Sequence, residues 1–233
     1  MPLAWIYPLT LILLFGCAEE RAGSDALPMD GFGGGGTSTS AAPEVAEDAP
    51  LVVFLGDSLA AGLHLPAEQA FPAAAQRLLV DREQPFRLVN AGVSGDTTAG
   101  GLARLDWLLR QSPDILVVEL GGNDGLRGLP VEQVESNLRA ILERTLDAGV
   151  RPLLLGMDAP PSLGPGYPRA FREVYHRLGE ELEVPVVRGF LEGVGGIRSM
   201  NLPDGIHPTP EGHERLAENL AGALEELLDE LRP

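Results

Sequence analysis

The chain has 233 residues, 44% hydrophobic and 22% charged, a globular composition with enough length for one domain and some extra at an end. Its 34 acidic residues stand against 17 basic ones, all of them arginine, for a formal net charge of −17. Such a surface repels phosphate backbones, so nucleic acid is not an expected partner, and the single cysteine excludes an intrachain disulfide.

In chain order, the first element is the apolar run LAWIYPLTLILLFG, residues 3–16. It is short for a bilayer span and is interrupted by Pro8. At this position it reads as the h-region of an export signal over residues 1–17. Its end, LFGC, resembles a bacterial lipobox, which makes Cys17 the candidate lipidation site and the protein a periplasmic or outer-membrane-tethered lipoprotein. The n-region has no Lys or Arg and Phe15 is bulky, so a plain cleaved signal or a short membrane anchor stays open as the alternative. Residues 18–50 shift to Gly, Ser, Thr, Ala, Pro and acids and read as a flexible tether. The glycines of GFGGGG follow no strand and open no helix, which argues against a phosphate loop.

Residues 51–233 alternate short apolar runs with longer amphipathic ones. Strands are predicted at Leu51–Leu55, Phe86–Asn90, Asp114–Leu120, Arg151–Met157 and Val184–Val187. Helices are predicted at Glu68–Val80, Thr98–Arg110, Val131–Ala148, Pro168–Leu182 and Thr209–Leu231. The strands are continuous rather than alternating apolar runs, as in a parallel sheet covered on both faces. Strand–helix alternation of this kind implies a single doubly wound α/β domain. In such folds ligands bind beyond the C-terminal ends of the strands. The polar, glycine-rich segments GDS, AGVSGDTT and GGNDG follow the first three strands.

Ser58, at the tip of the first strand, needs a base to become a nucleophile. Of the four histidines, His207 lies in LPDGIHPTPEG with Asp204 three residues upstream, a spacing that lets the carboxylate hold the imidazole from behind. His64 has no carboxylate close behind it in sequence, His176 falls mid-helix on an expected solvated face, and His213 lies one turn into the last helix. An acyl-transfer site also needs oxyanion donors. The amide of Gly95, the carboxamide of Asn123 and the amide of Ser58 itself are the candidates. Each residue has an ordinary alternative as a cap or a turn; their joint arrival at one edge of one sheet is what points to a site.

The segments FGDSLAAG, NAGVSGDTT, GGNDGLRG and DGIHP, in this order, resemble the four blocks of the SGNH hydrolases, also called GDSL esterases. The likeness extends from Leu51 to the C-terminus and is strongest to the bacterial thioesterase/arylesterase/lysophospholipase subgroup. It implies a three-layer α/β/α flavodoxin-like fold whose five-stranded parallel sheet has the order 2-1-3-4-5. It implies Ser58 as nucleophile, His207 as base and later acid, Asp204 as its orienting partner, and Ser58, Gly95 and Asn123 as the oxyanion hole. The reaction implied is ester or thioester hydrolysis through an acyl-enzyme, with no cofactor and no metal. Where the subgroup carries Asn-Tyr after the fourth strand, this chain has Ser162-Leu163. Leu126, Leu129, Met157 and Leu163 are the expected apolar lining of an acyl cleft, with core packing as the alternative.

The expected substrate is therefore a small acyl ester or lipid such as a lysophospholipid, met by a monomer held to a membrane through its N-terminus. A carbohydrate or aryl ester deacetylase is the enzymatic rival, disfavoured by an aromatic content of only 5%. An inactive binding lipoprotein, and a metal site built on Asp204, His207 and His213, are rivals of other classes.

Overall fold

The computed structural model describes Pro43 and residues 45–232; the expected export signal, Cys17 and most of the expected tether lie outside the described residues. Five parallel strands form one sheet: β1 (Leu51–Gly56), β2 (Arg87–Gly92), β3 (Ile115–Glu119), β4 (Arg151–Leu155) and β5 (Val186–Val187). Their order is β2-β1-β3-β4-β5, the doubly wound arrangement expected from the resemblance. The helices are α1 (Ser58–Ala61), α2 (Phe71–Asp81), α3 (Thr98–Leu109), α4 (Gly122–Leu126), α5 (Val131–Asp147), α6 (Gly166–Leu182) and α7 (Pro210–Asp229). One helical layer is built by α2 against α7, and the other by α3, α5 and α6.

Central strands buried on both faces must be apolar throughout. Val52 to Leu55 of β1 and Ile115 to Val118 of β3 are fully buried accordingly. The chain leaves β1 for β2 on one side and then crosses to β3 on the other, pairing Val52 with Leu88 and with Ile115. That reversal opens a crevice between the carboxyl ends of β1 and β3, the place where doubly wound sheets bind ligands.

The differences from expectation have local causes. β2 is half exposed, with Arg87 and Asn90 open to solvent, because it is an edge strand and is covered less than its neighbours. α2 starts at Phe71 rather than Glu68, after a separate 3-10 turn at Ala67–Gln69. Pro72 has no N–H to donate, so it suits the first turn of a helix and breaks a longer one. α1 and α4 have four and five residues, too short for a hydrophobic period to reveal.

Candidate active site

Ser58 lies two residues beyond β1 as the first residue of α1, 9% exposed. The turn that delivers it is held from both sides. Asp57 is the N-cap, its Oδ1 accepting from the Leu59 amide at 2.9 Å. From the neighbouring strand, Glu119 Oε2 accepts from the amides of Asp57 at 3.1 Å and Ala60 at 3.2 Å. Gly56 is required here, since a Cβ would stand 2.5 Å from Ala60 Cβ and 2.6 Å from Glu119 Oε2. Burial pushes the Asp57 carboxyl up to about 6, against the pull of hydrogen bonds from Leu59 and Asn123. Burial, reinforced by the charge of Asp57, drives the Glu119 carboxyl well above the usual range.

His207 arrives from the loop before α7. Its Nε2 lies 3.0 Å from Ser58 Oγ and its Nδ1 2.6 Å from Asp204 Oδ2. The three-residue spacing works because Asp204 caps its own loop: Oδ1 accepts from the amides of Ile206 at 2.9 Å and His207 at 3.0 Å. Gly205 supplies the left-handed φ of 73° that this turn needs. The loop is closed at its base by a bridge between Asn201 and Pro208, and Asn201 donates to the carbonyls of Val194 and Ile197. The hydrogen bond to His207, with those from the two amides, holds the Asp204 carboxyl well below the ordinary carboxylate range. An imidazole held between a carboxylate and a hydroxyl can take the hydroxyl proton and return it to a leaving group.

Asn123 is the second residue of α4, which Leu120 and Gly121 separate from the end of β3. Its Nδ2 donates to Asp57 Oδ2 and to the carbonyl of Asp96, each at 2.9 Å, so both hydrogens of the carboxamide are engaged. Its neighbour Asp124 is buried and accepts from the Thr98 amide and hydroxyl, which fastens the start of α3 to α4. Arg104 completes the frame, donating to Asp96 and to the carbonyls of Ala91 and Gly56. Gly95 has a φ of 83°, and its amide donates to no acceptor among the described residues.

A cleft of about 1050 Å³ opens over Ser58, Asn123 and His207. Leu126 and Met157 line it, together with Leu191, Val194 and Ile206. Leu129 and Leu163 lie outside this lining: the Leu129 carbonyl accepts from the Tyr167 hydroxyl, and Leu163 leans toward Gly128.

The remaining histidines occupy three different settings. His213 is buried, its Nδ1 accepting from the Phe71 amide at 3.1 Å, so the set Asp204, His207 and His213 does not converge on one point. Burial lowers its pKa to about 4, with the nearby His207 charge acting in the same direction. His176 is half-buried rather than on an open face. His64, which has no carboxylate near it in sequence, lies edge-on to His207 with ring centroids 5.8 Å apart. Its φ of 73° is left-handed, a property no residue pattern displays. Glu119 carried a readable signal, since an acid inside the apolar run DILVVEL must have partners when buried.

Residues 54–215 match the GDSL-like lipase/acylhydrolase family. Esterase TesA of Pseudomonas aeruginosa is 44% identical over 181 residues, covering 77% of this chain and 90% of that protein. Thioesterase 1/protease 1/lysophospholipase L1 of Escherichia coli is 41% identical over 183 residues, covering 78% of this chain and 86% of its relative. A crystal structure of TesA aligns with a TM-score of 0.73 at 44% identity, covering 76% of this chain and 98% of the other.

Proposed function

Because the chain belongs to the GDSL-like lipase/acylhydrolase family and is a serine esterase, we propose that Ser58 is its nucleophile, His207 its general base and Asp204 the group that orients the imidazole. The observation that supports this most directly is one imidazole within bonding distance of both partners, Nε2 to Ser58 Oγ at 3.0 Å and Nδ1 to Asp204 Oδ2 at 2.6 Å. Ser58 Oγ attacks the ester carbonyl carbon as its proton passes to His207 Nε2. The oxyanion is received by the amides of Ser58 and Gly95 and by the Asn123 carboxamide, which shares a hydrogen now held by Asp57 or Asp96. Collapse expels the alcohol or thiol, protonated from Nε2. Water then attacks the acyl-enzyme, gives its proton to Nε2, and releases the acid and Ser58.

The substrates in this reading are carboxylic or thio esters of lipid-like acyl chains. The apolar wall of Leu126, Met157, Leu191 and Val194 beside Ser58 supports that class over polar acyl acceptors. Residues 1–17 are proposed as an export signal ending in a lipidated Cys17, with 18–50 as its tether and 51–233 as the catalytic domain. Radiolabelled palmitate incorporated into wild type and not into Cys17→Ser tests the anchor.

Fluorophosphonate labelling followed by peptide mapping tests the nucleophile, with the adduct expected on Ser58. A medium-chain p-nitrophenyl ester should turn over faster than an acetylated sugar. The reverse preference would make the enzyme a deacetylase, and a label on another residue would overturn the assignment.

A further inference from the structure

His64 lies outside the machinery just described, yet its ring stands 5.8 Å from that of His207, centroid to centroid. It follows Gly62, the left-handed C-cap of α1, and holds a left-handed φ of its own, 73°. A side chain with a Cβ adopts this conformation at a cost of about 1 kcal/mol or more, and the surrounding turn must fix it. Here two amides do so, Leu63 donating to the Ser58 carbonyl and Leu65 to the Gly62 carbonyl. The turn presents an exposed imidazole, perpendicular to the ring of His207. His64, Asp204 and His207 each offer one ligand atom, and all three atoms lie within 4.8 Å of one another.

Two imidazoles and a carboxylate at this spacing are the donor set of an open zinc site, in which three protein ligands leave a fourth position to water. Ligand atoms around a tetrahedral zinc with bonds of about 2.0–2.1 Å stand about 3.3 Å apart. Asp204 Oδ2 and His207 Nδ1, now 2.6 Å apart, must part by about 0.7 Å, and the widest pair must close by about 1.5 Å at most. The side chains can do this: His64 is exposed and the Asp204 side chain is 37% exposed. Nearby cations do not oppose it strongly. Arg188, which lines the cleft, is paired with Glu180, and Arg127 donates to the Gly95 carbonyl. The mixed nitrogen and oxygen donors favour borderline cations such as Zn²⁺ over Mg²⁺ or Ca²⁺, which prefer oxygen alone.

We propose that His64, Asp204 and His207 form a binding site for Zn²⁺ or a cation of its class. Asp204 faces Nδ1 of His207, so the cation takes Nδ1, the ring proton passes to Nε2, and occupation silences the esterase because Nε2 can no longer accept the Ser58 proton. The silencing rests on the role of His207 given above; the binding does not. Zinc is therefore a reversible inhibitor at the cleft mouth.

Titration of the full chain with ZnCl₂ by calorimetry tests the binding, and p-nitrophenyl ester hydrolysis across the same concentrations tests the silencing. His64→Asn tolerates the left-handed backbone and removes a ligand; His64→Gln serves as a second variant, with each compared against its own zinc-free rate. The expected result is a tenfold or greater rise in both the zinc dissociation constant and the inhibitory concentration for each variant, activity restored by EDTA, and no inhibition by MgCl₂ at equal concentration. Equal zinc affinity in wild type and both variants overturns the site. Zinc that binds through His64 while hydrolysis continues at saturation overturns the silencing, whereas the role of His207 as the base is overturned only if zinc-free His207→Ala keeps its rate.

Discussion

Asn123 donates to Asp57 Oδ2 at 2.9 Å across 66 positions of sequence, so the residue beside Ser58 positions the side chain proposed to meet the oxyanion. Asp57→Asn separates this role from capping. Asparagine caps helices as well as aspartate does, so α1 keeps its N-terminus. The anionic acceptor is lost, and an amide facing the Asn123 amide opposes donor to donor. A fall in kcat of about tenfold or more with KM little changed is expected, against about a hundred- to a thousandfold for Asn123→Ala. Steady-state kinetics on one p-nitrophenyl ester measures both. A full-rate Asp57→Asn enzyme would mean that Asn123 needs no such partner.

The hydroxyl and imidazole 3.0 Å apart are expected to act as a unit. Ser58→Ala should lower kcat by about 10⁶-fold, His207→Ala comparably, and the double variant little further. A single variant that kept a tenth of the wild-type rate would exclude the proposed chemistry.

Much of this is legible in the amino-acid sequence. Apolar runs announced the central strands, and the Asp204–His207 spacing announced a carboxylate behind an imidazole because that pair is joined within one loop. Contacts between distant segments were not readable. Helical periodicity marks His213 as facing inward or outward only once α7 has docked on α2, and the docked helix turns it to the Phe71 amide. The approach of His64 to His207 depends on a single backbone φ. Leu129 and Leu163 follow the right strands, yet they are not among the residues lining the cleft, and side-chain direction in irregular loops has no period to read.

Glu119 offers a test of the Ser58 turn that is independent of the reacting atoms. Its Oε2 satisfies two buried amides, while its Oε1 has no partner among the described residues. Glu119→Leu strands both amides and should cost roughly 2 to 4 kcal/mol of stability and reduce kcat. Glu119→Gln keeps the acceptor oxygen and should fold within about 1 kcal/mol of wild type at acidic pH. Because the carboxyl is raised in the folded state, wild type loses stability as pH climbs above the ordinary glutamate range, and the glutamine variant does not. Urea unfolding at several pH values should therefore show Glu119→Gln gaining on wild type with rising pH.

His213 imposes the opposite trend. Unfolded, its imidazole titrates near 6.5; folded, near 4, because it is buried as a neutral acceptor for the Phe71 amide. Between these values the unfolded chain holds a proton that the folded chain lacks, so stability falls as pH drops from 6.5 toward 4. The full penalty is roughly 3 kcal/mol. Asp57, raised to about 6, contributes with the other sign over the same window, so the wild-type curve alone cannot isolate the histidine. The difference between wild type and His213→Asn can, since the carboxylates are common to both and an asparagine oxygen can replace Nδ1 without titrating. That difference should be flat above pH 7 and should turn against wild type by roughly 3 kcal/mol near pH 4. A difference that stays flat to pH 4 would mean the imidazole is charged in the folded protein, which its bond to the Phe71 amide forbids.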